Sequence, residues 1–169
     1  PADSELIGAS DSRICELVTA YLDEGPVLVG LDAPLSYNPG GGDRPGDKKL
    51  RDHLKEAGMY HSAAVMPPLM TGMAYLTLRG VALSRMLEQC ARGRYLSIVE
   101  VHPGACMSLS GAPEQMLKAS RAEKAQAALD DLVEWIRQSD VTVDSAVKSR
   151  HHVDAIACAV AARDWLTGQ

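Results

Sequence analysis

Val27-Leu28-Val29-Gly30-Leu31-Asp32-Ala33-Pro34 is the stretch on which the reading of the whole chain turns. Its first five residues form an unbroken, Val-rich apolar run that follows Gly25-Pro26 and is closed by Pro34, the pattern of a short strand buried on both faces. Such a strand belongs in the middle of a sheet covered by helices. The acid at its end, Asp32, stands where open α/β sheets bind ligands. A second stretch repeats the plan, since Tyr95 to Val101 reads as a strand running into Glu100-Val101-His102-Pro103. If the two strands are adjacent and parallel, the Asp32 and Glu100 carboxylates approach one another.

Outward from these strands the chain is helical. Asp11 to Glu24 spaces Ile14, Leu17, Val18, Tyr21 and Leu22 at three- and four-residue intervals, with Asp11 or Ser12 as cap. Residues 36–46 read as loop because the Gly40-Gly41-Gly42 run and the prolines forbid regular structure. A short polar helix is expected from about Asp47 to Ala57 and a long one from Met70 to Ala91, bent near Gly80. Arg121 to Arg137 is amphipathic, and His151 to Leu166 places Val153, Ile156, Ala157 and Val160 at core spacing. Helices alternating with strands favour a mostly parallel sheet flanked by helices. Two strands alone make a poor sheet of this kind, so further strands are expected upstream or within Ala63 to Met66 and Val141 to Val143.

At 169 residues the chain fits one domain able to bury its own core. With 46% hydrophobic and 23% charged residues it is neither a disordered tail nor a fibre. There is no Phe and aromatics total 4%, which argues against a base-stacking platform for single strands. A net charge of -5 excludes non-specific coating of nucleic acid, yet it suits an enzyme that holds cations between carboxylates. Cys15, Cys90, Cys106 and Cys158 are widely spaced and show no metal-finger pattern, so reduced thiols and a cytoplasmic, reducing compartment are expected. No run is long enough to span a membrane, and the first ten residues lack the pattern of a signal peptide. The sequence opens on Pro1 rather than Met, which points to processing or to a start inside a longer protein.

Three acids carry the candidate chemistry. Asp32 and Glu100 end the two strands, and Asp154 sits in the first turn of the last helix at the head of an otherwise apolar stripe through Cys158, Ala161 and Trp165. Singly, Asp32 could start a turn and Asp154 could favour a helix amino end. Glu100 is harder to dismiss, because a carboxylate within Ser97-Ile98-Val99-Glu100-Val101 is out of place in a buried strand. Gathering three acids in low dielectric raises their pKa values unless a cation compensates them, and Mg²⁺ or Mn²⁺ is the natural partner of an all-oxygen set. Arg44, Lys48, Lys49, Arg51 and Lys55 follow the loop after Asp32, and Lys148, Arg150, His151 and His152 precede Asp154. The first group is either a solvated helix face or a phosphate clamp with Arg44 and Arg51 as forked donors. Asp47 would orient those arginines, and His102 and His151 or His152 would orient water or a leaving group.

Gly30-Leu31-Asp32-Ala33-Pro34, then Arg44-x-x-Asp47-x-x-Leu50-Arg51, Pro67-Pro68, Val99-Glu100-Val101-His102-Pro103 and Asp154-Ala155 in an Ala-rich helix resemble, in this order, domain-of-unknown-function family number 429. Its members are predicted RNase H-like nucleases, and the match runs from about Val27 to Leu166. The resemblance implies an α/β, RNase H-like fold with a mixed sheet flanked by helices. It also implies two-metal hydrolysis of nucleic acid, with Asp32, Glu100 and Asp154 as catalytic metal ligands. It further implies an Asp on the first strand of an opening meander. No such strand precedes Asp11, and neither Asp3 nor Asp11 lies in an apolar run, so the amino-terminal strands are expected to be lacking from this chain. Gly46 stands where the Arg-x-Cys-Asp form of the motif has Cys.

The expected function is therefore a metal-dependent nuclease with Mg²⁺ or Mn²⁺ as cofactor, nucleic acid as substrate, no membrane partner and a homodimer left open. The alternatives are an RNase H-like binding module that has lost catalysis, and a small-molecule phosphatase or phosphotransferase on the related fold. No Gly-rich phosphate loop between hairpin strands is present to favour the last.

Overall fold

A computed structural model describes residues 10–59, 65–121, 126–138, 141, 143, 147 and 149–168. Among them the order is α1 (Asp11–Glu24), β1 (Val27–Leu31), α2 (Pro45–Glu56), α3 (Ala74–Ala91), β2 (Leu96–Glu100), α4 (Pro103–Leu109), α5 (Glu114–Ala119), α6 (Gln126–Arg137) and α7 (Arg150–Thr167). The class is mixed α/β. β1 and β2 pair in parallel, in a register that sets Val29 opposite Ile98 and Leu31 opposite Glu100. The sheet is thus parallel rather than mixed among the described residues, with two strands.

The period-2 alternation of β1 explains the layers. Val27, Val29 and Leu31, with Leu96 and Ile98 of β2, pack on a cluster formed by Cys15, Val18 and Leu22 of α1 and Leu83 and Leu87 of α3. Gly30 points to the opposite face, where a Cβ would lie 2.6 Å from the Cys158 carbonyl oxygen of α7. Only a glycine lets the helix backbone come that close. Gly80 does the same for α3, because a Cβ there would stand 2.8 Å from both the Ala33 Cβ and the Pro34 carbonyl oxygen. A second core, centred on Leu117, Leu132, Ile136 and Val153, joins α5, α6 and α7.

The strands were expected to be buried on both faces, and they are not. All five residues of β1 are half-buried, while Ser97 and Glu100 of β2 are exposed. The reason is the short sheet. Val27, Val29 and Leu31 turn their main-chain groups toward β2, as the bonds from Val27 N to Tyr95 O and from Val101 N to Leu31 O require, so Leu28 and Gly30 face an edge with no third strand among the described residues.

Element ends differ by a few residues from expectation. Ser10, rather than Asp11 or Ser12, caps α1 by accepting from the Arg13 N–H. Pro45 opens α2 two residues early, a position where its missing N–H costs nothing. Residues 70–73 form turns ahead of α3. α4 and α5 were not anticipated. Val65 and Met66 are not a strand, and Val143 makes one isolated bridge; residues 63, 64 and 142 of the two segments considered lie outside the described residues, as do Asp3 and Lys148.

Candidate active-site pocket

The carboxyl ends of β1 and β2 open into a cavity of about 220 Å³. Asp32, Glu100 and Asp154 all line it, so the chain does bring its three candidate acids to one place. Pro34, Met66, Met73 and Leu76 form an apolar wall, and Arg44, Asp47, His102 and Arg121 complete the polar one. Two glycine contacts hold the frame. α7, which carries Asp154, lies on Gly30, and α3 lies on the Asp32-Ala33-Pro34 turn through Gly80.

The three acids are not equivalent. Glu100 is claimed by protein donors: Arg44 Nη1 donates to Oε2 at 2.7 Å and Arg44 Nη2 to Oε1 at 2.5 Å, while the Leu35 N–H donates to Oε2 at 2.8 Å. Arg44 simultaneously donates through Nε to Asp47 Oδ2 at 2.8 Å and through Nη2 to Asp47 Oδ1 at 2.5 Å. Its Nη1 also reaches the carbonyl and hydroxyl oxygens of Ser36 at 3.2 and 3.1 Å. Asp47, at the third position of α2, accepts from the Arg44 N–H at 3.1 Å as the returning half of a capping box. Burial alone would push the Asp47 carboxyl up, but the hydrogen bonds and charge of Arg44 hold it below the usual carboxylate range. The same contacts lift the Arg44 guanidinium further above its ordinary value, Glu100 contributing most.

Asp154 accepts from Arg150 Nε at 2.8 Å, one turn back on α7. Arg150 Nη1 donates to the buried Ser120 hydroxyl, and its Nη2 is a buried donor with no hydrogen-bond partner among the described residues. Asp32 is exposed in the mouth of the cavity, with protein walls around it that thin its hydration. That desolvation first, and the charge of Asp154 second, raise its carboxyl above its ordinary value against the opposing pull of His102, His151 and Arg150. Below the pair, burial pushes the Cys158 thiol strongly up and the Cys106 thiol up, with Asp32 adding to both.

The remaining candidates fall into place unevenly. The clamp of Arg44 and Arg51 does not form: Arg44 is spent on two acids, and Arg51 pairs with Asp43 at 2.5 Å and donates to the Val65 carbonyl oxygen at 3.0 Å. Of the two arginines, Asp47 therefore orients Arg44, through a hydrogen-bonded ion pair. His102 lines the cavity while its Nδ1 accepts from the Ala105 N–H at 3.2 Å, capping α4, which leaves the ring proton of the neutral form on Nε2. His151 is exposed outside the lining and reaches Asp32 through its field alone. Trp165 is 64% exposed, so the apolar stripe expected below Asp154 ends before it. Arg121, Ser120 and the partnership of Arg150 with Asp154 were not foreseen. Only the last left a trace in the sequence, as oppositely charged residues four apart on a helix.

No group of three His, Cys, Asp or Glu residues among those described is arranged to hold a metal ion. Glu100 does not fit a ligand role while Arg44 grips both its oxygens. Asp32 and Asp154 fit one, since a hard cation such as Mg²⁺ takes one or two carboxylates and completes its shell with water and substrate oxygens.

With its acid-lined pocket at the carboxyl ends of a parallel strand pair and helices on both sheet faces, the chain is a mixed α/β protein. The chain belongs to the family described as "Protein of unknown function (DUF429)", whose profile matches residues 4–169. The resemblance carried by the Asp32, Arg44-Asp47, Glu100 and Asp154 motifs is thereby borne out at the level of the family. No curated protein and no solved structure matches the chain. No helix among the described residues is long and apolar enough to cross a membrane.

Proposed function

We propose that the pocket is the active site of a metal-dependent phosphodiesterase on an RNase H-like fold, with nucleic acid as substrate and Mg²⁺ or Mn²⁺ bound between Asp32 and Asp154. What supports this most is that Asp32 and Asp154 line one cavity at the carboxyl ends of the strands, where the charge of Asp154 helps raise the Asp32 carboxyl, a conflict that a divalent cation would relieve. When bound, the cation would supply Lewis-acid activation of a phosphoryl oxygen and of water. The chain's own residues do the rest. Arg121 offers the cavity a guanidinium that forms no ion pair among the described residues, suited to a phosphate oxygen. His102 lines the same cavity, its ring held by the Ala105 N–H on Nδ1, and is placed to hydrogen-bond a substrate oxygen. The Arg44 fork anchors Glu100 and, through it, the Leu35 N–H, so the loop after Asp32 keeps its place.

The capture of Glu100 favours a second reading, a module that retained the fold and binds nucleic acid without cutting it. One experiment separates the two. Mn²⁺ or Mg²⁺ is titrated into the full-length protein with end-labelled RNA, DNA and hybrid substrates, alongside Asp154→Asn. Metal-dependent cleavage that falls at least about 100-fold in the variant supports the enzyme. Metal-independent binding, unchanged by the substitution and without cleavage, supports the module and sinks the enzyme.

A further inference from the structure

Cys15 on α1 and Cys90 on α3 come from positions 75 residues apart, and their sulfur atoms lie 3.2 Å from one another. Neither belongs to the pocket. Cys15 is buried in the core under the sheet, whereas Cys90 is half-buried and is the thiol that solvent reaches. The helices that carry them are tied on either side of the pair. Arg79 of α3 donates to Asp11 of α1 at 3.1 Å, and Arg94, just past α3, pairs with Asp23 of α1 while its Nη2 donates to the Cys90 carbonyl oxygen at 3.1 Å. Those ion pairs fix the register of the two helices, so a bond between the sulfurs asks only for an approach of about 1.2 Å, from contact to a covalent length near 2.05 Å.

We propose that Cys15 and Cys90 form an oxidisable dithiol, a modification site that takes low-molecular-weight disulfides such as glutathione disulfide and closes to an internal disulfide. The Cys90 thiolate attacks one sulfur of the reagent, forming a mixed disulfide and expelling the first thiolate, which takes up a proton. The Cys15 sulfur then attacks Cys90 Sγ, expels the second thiolate and transfers its own proton to it. Two thiols and one external disulfide become one internal disulfide and two external thiols, so electrons and protons balance. The order of attack follows from exposure, and burial together with Cys90 pushes the Cys15 thiol up to about 11, which keeps it protonated and in reserve. Cys106 of α4 and Cys158 of α7 feel one another's charge, but no sulfur–sulfur contact joins them among the described residues.

The test uses the reduced full chain, incubated with glutathione disulfide at mildly alkaline pH, quenched with acid, alkylated and mapped by peptide mass spectrometry. The expected product is a Cys15 to Cys90 cross-linked peptide about 2 Da lighter than its two thiols, formed at least about ten-fold faster than any adduct at Cys106 or Cys158. Cross-linking should also raise Tm by on the order of 5–10 °C, reversed by reductant. Cys15→Ser should stop at a persistent glutathione adduct on Cys90, and Cys90→Ser should leave Cys15 unmodified in the native state. A wild-type chain whose Cys15 and Cys90 both remain alkylatable after incubation, or a cross-link that maps to Cys106 or Cys158, overturns the proposal. It needs no variant to fold.

Discussion

Arg44 holds Glu100 by both guanidinium ends, Nη1 on Oε2 at 2.7 Å and Nη2 on Oε1 at 2.5 Å, across the 56 residues that separate them in sequence. The fork joins the start of α2 to the end of β2. Arg44→Lys is expected to destabilise the protein nearly as much as Arg44→Ala, because an ammonium cannot meet Glu100 and Asp47 together. Removing the guanidinium leaves two acids unpaired, a loss of about 2–4 kcal/mol at neutral pH, measured by urea denaturation. A Lys variant of wild-type stability would show that the fork matters little.

Asp47 sets the acid limit of that contact. Its folded carboxyl titrates below its unfolded value, so the stabilisation is fully present above the unfolded value and disappears as pH falls through the folded one. Asp47→Asn should flatten the acid limb of a stability-against-pH curve and cost about 2–3 kcal/mol near pH 7. The two curves should converge at low pH; parallel curves would exclude the assignment.

Asp32 behaves in the opposite sense. Burial and Asp154 raise its folded value, so its contribution is fully present below the unfolded value and is lost as pH rises through the folded one. In metal-free buffer Asp32→Asn should be at least as stable as wild type at neutral pH. Adding Mn²⁺ at 100 times its dissociation constant should stabilise wild type by about 2.7 kcal/mol and leave the variant unmoved. Equal thermal shifts in both proteins would place the ion elsewhere.

Gly30→Ala forces a methyl to within 2.6 Å of the Cys158 carbonyl oxygen, a main-chain atom that cannot swing away. About 1–3 kcal/mol of destabilisation is expected, together with weaker metal binding as α7 is pushed off β1. Gly80→Ala tests the other wall, against the Ala33 Cβ and Pro34 carbonyl oxygen at 2.8 Å. Gly25→Ala meets nothing within 4 Å and serves as the control.

Arg121→Ala should raise KM for a phosphodiester substrate about 10-fold or more while leaving Tm unchanged, because the residue is exposed at the cavity rim and makes no ion pair among the described residues. Steady-state kinetics beside a melting curve read both quantities. A fall in kcat with KM constant would assign the residue another role.

The strands and the convergence of the acids were legible because both rest on short-range pattern. Val27 to Leu31 is apolar, bounded by Pro and ended by an acid, and the second strand repeats this, so parallel pairing alone carries Asp32 and Glu100 to one end. What the side chains do there was not legible. Whether Arg44 faces a ligand or Glu100 depends on how α2 enters after its Pro45 start, a tertiary fact with no periodicity to report it. The partner of Arg51 was not legible for the same reason, since Asp43 meets it from the preceding loop. α4 and α5 are seven and six residues long, too short for a helical period to stand out. Arg121 lies in no motif, and only the placement of α5 brings it to the cavity.

At Gly30 the helix main chain rests directly on the strand, with no side chain between them. The spacing of the two acids is thus built from parts common to every amino acid, insulated from drift elsewhere in the core. Met66, Met73 and Leu76, by contrast, meet the cavity through flexible chains. Exchanging those residues should therefore reshape the cavity while the two carboxylates stay where the backbone put them.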